Sequence, residues 1–198
     1  LYDNFDGYDV KQDYLIRTGA LDGFEKLVKD LNGDPETLLD KCGLSNQDLK
    51  APDTMIPFNI MVELLELSAS QLDKPDFGLT LGIQQDVDAL GNLGLLMLHC
   101  TNVREALTST QRYIAAHSQA EYWRLIELGD LAYLERFSVS QEVSHARQFK
   151  ELSFGVCLKL MKPIIKGSVV IERLEFAHAP ISDIAVYNRL FGCNVIFN

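Results

Sequence analysis

The chain has 198 residues, enough for one large domain or two small ones around a substantial buried core. Hydrophobic residues make up 47% and charged residues 23%, an ordinary globular balance, and no run of about 18 apolar residues offers a membrane span. Eighteen Lys and Arg stand against 28 Asp and Glu, a net charge of −10; such a surface repels a phosphate backbone, so direct nucleic-acid binding by this polypeptide is not expected. The chain opens on Leu1 rather than Met, and no basic-then-apolar leader follows. Cys42, Cys100, Cys157 and Cys193 are widely spaced with no CxxC pair. That usage reads as reduced thiols and a cytoplasmic location.

Residues 1–13 are aspartate-rich without apolar periodicity and read as a loose leader. From Tyr14 the spacing of Leu15, Leu21, Phe24, Leu27, Val28 and Leu31 predicts a helix, stopped at Asn32-Gly33. Asp34-Pro35 caps and opens a second, followed by a tight turn at Cys42-Gly43 and a short helix capped by Ser45. This pair superficially resembles a helix-turn-helix. Its second helix offers only Gln47, Asp48 and one lysine before Pro52, too little to read bases, so helical-hairpin packing is expected.

Pro57 begins a longer helix whose Phe58, Met61, Leu64, Leu65, Ser68 and Leu72 form a core-facing stripe. Residues 76–100, punctuated by glycines, predict short helices and turns packed closely enough to need small residues. Gly91-Asn92-Leu93-Gly94 lacks the spacing and the Lys-Ser/Thr of a phosphate loop. Asn102 with Glu105 caps a helix running to Ser118, with Val103, Ala106, Leu107, Thr110, Tyr113 and Ile114 buried and His117 on the same face. EYWRLIEL and LAYLERFSV, split by Gly129-Asp130, predict a β-hairpin with Trp123, Leu125 and Glu127 facing away from Tyr122, Arg124, Ile126 and Leu128. A long helix is expected over Gln141–Met161, a strand near residues 169–179, and a short helix capped by Ser182 and ended by Gly192. A last strand starts at Asn194 and stops at its fourth residue, so the full protein is expected to continue. The expected fold class is α+β: a helical part, 14–120, packed on a smaller mixed α/β part, 121–198, that holds the hairpin and the long helix.

Four patterns occur in order: DPETLLDKCGLS with the Pro57 helix; FGLTLG at Phe77–Gly82 with LGNLG at Leu90–Gly94; TNVREALTSTQRY at Thr101–Tyr113; and LEFAHAPISDIAVYNRLFGCNVIF at Leu174–Phe197. Together, from about residue 14 to the end, they resemble the arabinose-binding-type N-terminal domain of AraC-family transcription regulators. The resemblance implies that 14–198 is an effector-sensing and dimerisation domain. It also implies a DNA-binding helix-turn-helix domain beyond Asn198. The family's effectors include sugars, amino-acid-derived compounds and fatty acids, so the fold does not fix the ligand.

No catalytic, metal or cofactor site is expected. His99, His117, His145 and His178 have no metal-ligand spacing; His145 with Glu142 is the best local pair and too small a set. Ser153 lies mid-helix, outside any nucleophile elbow. The acid pairs Asp86/Asp88 and Glu172/Glu175 read as solvated charge. For a ligand, aromatic and polar groups converge best at Tyr113, His117, Trp123, Tyr133 and Arg136, with Arg136 able to grip a carboxylate. Val143, Phe149 and Val156 on the long helix are the expected patch of a homodimer. The expected partners are thus a small-molecule effector and a second copy of the chain, with no membrane contact and DNA reached only through the further domain. The competing readings are a small hydrolase using one histidine and a ligand-free interaction domain.

Overall fold

Leu15–Arg17 forms a short strand, β1, rather than the first turn of a helix, and pairs antiparallel with Met55–Pro57, β2, placing Ile16 opposite Ile56. The computed structural model describes residues 14–139, 146–161 and 170–198. The expectation of a helix from Tyr14 is corrected by long-range pairing. Ile56 precedes a proline, which disfavours helical backbone there, and the extended segment it leaves recruits Leu15–Arg17. Thr18–Leu21 then makes one 3-10 turn. Gly23, at φ +78°, redirects the chain into α1, Phe24–Asp30.

Asp34 caps α2, Pro35–Lys41, by accepting from the Glu36 amide at 3.2 Å. The backbone N–H and hydroxyl of Ser45 both donate to Asp48, at 2.8 and 2.7 Å, at the start of α3, Asn46–Lys50. The α4 helix, Phe58–Gln71, buries Phe58, Met61, Leu64, Leu65 and Ser68 as its stripe requires. The glycine-punctuated stretch resolves into α5, Phe77–Gln84, a 3-10 turn at Val87–Leu90, and α6, Asn92–His99. Asn102 accepts from Glu105 at 2.9 Å to start α7, Val103–Tyr113.

The hairpin of β3, Glu121–Leu128, and β4, Leu131–Ser138, is antiparallel with Trp123 opposite Arg136 and Leu125 opposite Leu134. The central helix is α8, Arg147–Met161; the expected start at Gln141 lies outside the described residues. β5, Arg173–Phe176, and β6, Asn194–Phe197, pair in parallel across α9, Ile184–Phe191. Asp183, not Ser182, caps α9, accepting from the Ala185 amide at 2.8 Å. Gly192, at φ +67°, ends it.

The core is decided by α8. Phe149, Leu152, Val156 and Leu160 join the cluster that also holds Ile16, Phe24 and Met61, so the long helix of the second part sits inside the core of the first. Phe149 and Val156 therefore cannot form a dimer patch, and Val143 lies outside the described residues. Burying each such side chain contributes about 1.5–3 kcal/mol, far more than an exposed helix face would return. The approach of α5 to α8 depends on missing side chains. A Cβ on Gly78 would lie 2.1 Å from the Gln148 carbonyl oxygen, and one on Gly82 would lie 2.4 Å from that of Leu152. A second cluster, with Leu79, Leu158, Phe176 and Tyr187, fastens the β5–α9–β6 unit to the other flank of α8. No described helix is long and apolar enough to cross a membrane.

Candidate functional site

Between the inward face of the hairpin, the turn that ends α7 and the length of α8 lies a cavity of about 50 Å³. Its walls are largely apolar: Trp123 and Leu134 from the hairpin, Ile114 after α7, and Phe149, Leu152 and Val156 from α8. Room for a few waters is what that volume provides. A larger groove of about 590 Å³ lies on the outside, between Leu98, Lys159 and Leu190. Its lining is mixed in character, without convergent buried polar groups, so the largely apolar interior cavity is the better candidate despite its size.

Most polar groups in the cavity wall are engaged within the fold. Gln85 donates to the carbonyls of Ala20 and Asp22, both at 2.9 Å. Thr110 and Ser153 donate back to the carbonyls of Ala106, at 3.0 Å, and Phe149, at 2.9 Å, within their own helices. Glu121 reaches the cavity from β3 and accepts from the Arg136 Nε of β4; the two side chains are 4% and 3% exposed. The Arg136 guanidinium also lies 5.2 Å from the centre of the Phe149 ring, a cation–π contact. Its Nη2 and the Nδ1 of His117 are buried without hydrogen-bond partners.

Burial, and then the nearby charge of Arg17, holds the His117 pKa down at about 3, so this ring is neutral at physiological pH. Burial and the Glu121 carboxylate push the Cys157 thiol up to about 12. A thiol that stays protonated is a poor nucleophile, and a Ser153 hydroxyl donating into its own helix is not activated by His117. Among the described residues, no three His, Cys, Asp or Glu side chains come together as a metal site. His145 and Glu142 lie outside the described residues.

Of the five residues picked from sequence, His117 and Trp123 line the cavity, and Arg136 stands behind Glu121. Tyr113 and Tyr133 do not line it; they are 48% and 42% exposed. His117 and Tyr113 were expected on one helix face. The α-helix gives way to a 3-10 turn at Ile114–Ala116, which changes the angular step per residue and turns His117 inward. Its carbonyl then accepts from the Arg17 amide at 2.9 Å, tying the turn to β1. Tyr133 pairs with Ile126 on the outward hairpin face, where Tyr122 stacks on Phe137 with centroids 4.9 Å apart. Glu121 was missed, although it stands two residues before Trp123 and so shares its face by strand alternation.

A second buried polar group lies on the opposite flank of α8. Glu151 accepts from the Tyr187 hydroxyl at 2.8 Å and sits 4.0 Å from the His178 Nε2. Its other oxygen has no partner, and desolvation pushes its pKa up to about 7. His178 Nδ1 lies 2.9 Å from the carbonyl oxygen of Ala179.

Fold and cavity together describe an α+β domain with a small, largely apolar interior space. Residues 33–198 match the family described as the arabinose-binding domain of AraC transcription regulators, N-terminal, and the chain belongs to that family. It is similar to the HTH-type transcriptional regulator VirS of Mycobacterium tuberculosis, 26% identical over 188 residues, covering 92% of this chain and 54% of the relative. Its fold is similar to that in a crystal structure of the transcriptional regulator CdpR from Pseudomonas aeruginosa. That match has a TM-score of 0.58 at 16% identity, covering 86% of this chain and 51% of the other. The chain spans about half the length of both relatives.

Proposed function

We propose that this chain is the ligand-sensing part of a cytoplasmic transcription regulator, receiving a small effector in the cavity between the hairpin and α8. DNA contact belongs, on this reading, to a separate helix-turn-helix module of the longer protein, and two copies of the regulator act as a homodimer. One observation carries the proposal: a buried apolar space in a family of regulators, walled by a two-stranded hairpin and holding the single tryptophan of the chain, Trp123. His117 and Trp123 contact the effector, and Arg136 acts through Glu121.

At about 50 Å³ the space is well below the roughly 150 Å³ of a benzene-sized cavity, so binding must move a wall. The hairpin is the wall that yields, because a two-stranded sheet has little stability of its own, whereas α8 is packed on several sides. Effector binding then favours a population with the hairpin displaced from α8, in proportion to its differential affinity for that state. Thermal-shift screening of a metabolite collection tests this. Stabilising compounds should lose their effect in Val156→Phe, which fills the cavity; stabilisation that persists there places binding elsewhere. Sedimentation at micromolar concentration tests the dimer.

A further inference from the structure

We propose that the cavity accepts an uncharged, mainly apolar molecule bearing a single hydrogen-bonding group at its His117–Glu121 end, and that it rejects sugars and carboxylates. The inference rests on the effector-site reading above and adds the chemical class.

Charge is the first argument. Among the described residues at the cavity, Glu121 and Arg136 are buried against each other on neighbouring strands, and the Arg17 guanidinium beside His117 is paired with Asp53, so each of these charges already has its counter-ion. An anionic ligand would have to displace Glu121 from Arg136 and leave that carboxylate buried alone. A cationic ligand would strand Arg136 in the same way. Either exchange trades one buried pair for another and adds an uncompensated charge. On this proposal Arg136 does not grip an effector carboxylate: its Nε is occupied by Glu121, and its unpartnered Nη2 stands behind that carboxylate rather than in the cavity wall.

Hydrogen-bonding capacity is the second. A sugar presents a hydroxyl on nearly every carbon, and each needs a partner once it leaves water. Here the donor groups of Gln85, Thr110 and Ser153 are already engaged with backbone carbonyls. Among the described residues of the wall, the buried His117 Nδ1 lacks a hydrogen-bond partner. One ligand hydroxyl or amide would complete it, and the remainder of the molecule would meet Trp123, Leu152 and Val156.

Four compounds of similar size separate the possibilities: cyclohexanol, cyclohexanecarboxylate, cyclohexylammonium and L-arabinose, titrated into the 198-residue chain while emission of its single tryptophan is followed. Cyclohexanol should give a saturable change, with affinity at least tenfold tighter than either ion, and arabinose should give none. Val156→Phe and, independently, Leu134→Phe should weaken the cyclohexanol response at least tenfold. Equal or tighter binding of the carboxylate, the ammonium or arabinose, abolished by either variant, overturns the proposed class while leaving the site in place. A cyclohexanol response unchanged in both folded variants overturns the site itself. Silence from all four compounds removes both.

Discussion

Glu121 and Arg136 occupy diagonal positions on the inward face of the hairpin and form an ion pair whose two side chains are almost wholly excluded from solvent. Arg136 is also sandwiched toward the Phe149 ring, so the pair links β3, β4 and α8 at the cavity edge. Removing one partner leaves the other charge buried and alone. Arg136→Met should therefore cost about 3–5 kcal/mol in urea unfolding. The double variant with Glu121→Gln should regain most of that loss. A single variant as stable as the parent would show that water reaches Glu121.

The α5–α8 crossing gives a second prediction. Gly78→Ala and Gly82→Ala each add helix propensity, worth up to about 1 kcal/mol. Each also drives a methyl into the α8 backbone, at Gln148 and Leu152 respectively. Overpacking costs about 1–3 kcal/mol, and contact with backbone rather than a movable side chain puts these sites at the upper end. Both variants should be net destabilised in chemical denaturation. Gly43→Ala, where a Cβ meets nothing within 4 Å but φ is +70°, should show only the smaller conformational cost.

Glu151 sets a pH dependence of one sign. Its pKa is raised to about 7 in the fold by desolvation, against the opposing hydrogen bond from Tyr187, with the Asp76, Glu66 and Arg147 charges acting in addition. Between its unfolded value near 4.5 and 7 the native state holds the extra proton, so stability contributed by this group falls as pH rises. Glu151→Gln keeps an acceptor for the Tyr187 hydroxyl and removes the titration. Relative to the parent it should gain stability as pH is raised from 5 to 8, by up to roughly 3 kcal/mol. A difference between the two proteins that does not change with pH would refute the assignment.

His117 acts with the opposite slope. Its pKa is lowered from 6.5 to about 3, so the unfolded chain takes up the proton first. Stability from this group is therefore complete above pH 6.5 and is lost as pH falls toward 3. His117→Phe should flatten acid unfolding over that window, measured by urea midpoints between pH 7 and 4. Unchanged acid sensitivity would mean that other groups dominate it.

Much of the helical layout was legible because its signals are local. Asp34-Pro35, Ser45, and Asn102 with Glu105 each cap the helix they were expected to cap. The α4 stripe and the alternation of the hairpin are equally local, since period and turn chemistry depend on neighbours in sequence. The glycines of the FGLTLG stretch signalled close packing correctly, but not against which element. β1 was misread because apolar spacing over so few residues cannot separate a helix from a strand held by a distant partner. Part of the site was visible in Trp123 and His117. Tyr113 was placed with them only by assuming an unbroken α-helix, and the 3-10 turn after it separates the two.

By itself the sequence determined the α+β class, the caps and turns, the acidic surface and the family, all of which rest on residue order within short windows. Tertiary structure alone decided that α8 is a core helix, that Arg136 is paired with Glu121, and that the interior keeps a small apolar space. Those facts depend on which faces meet across dozens of residues. They are settled by volume and buried charge, neither of which a local pattern records.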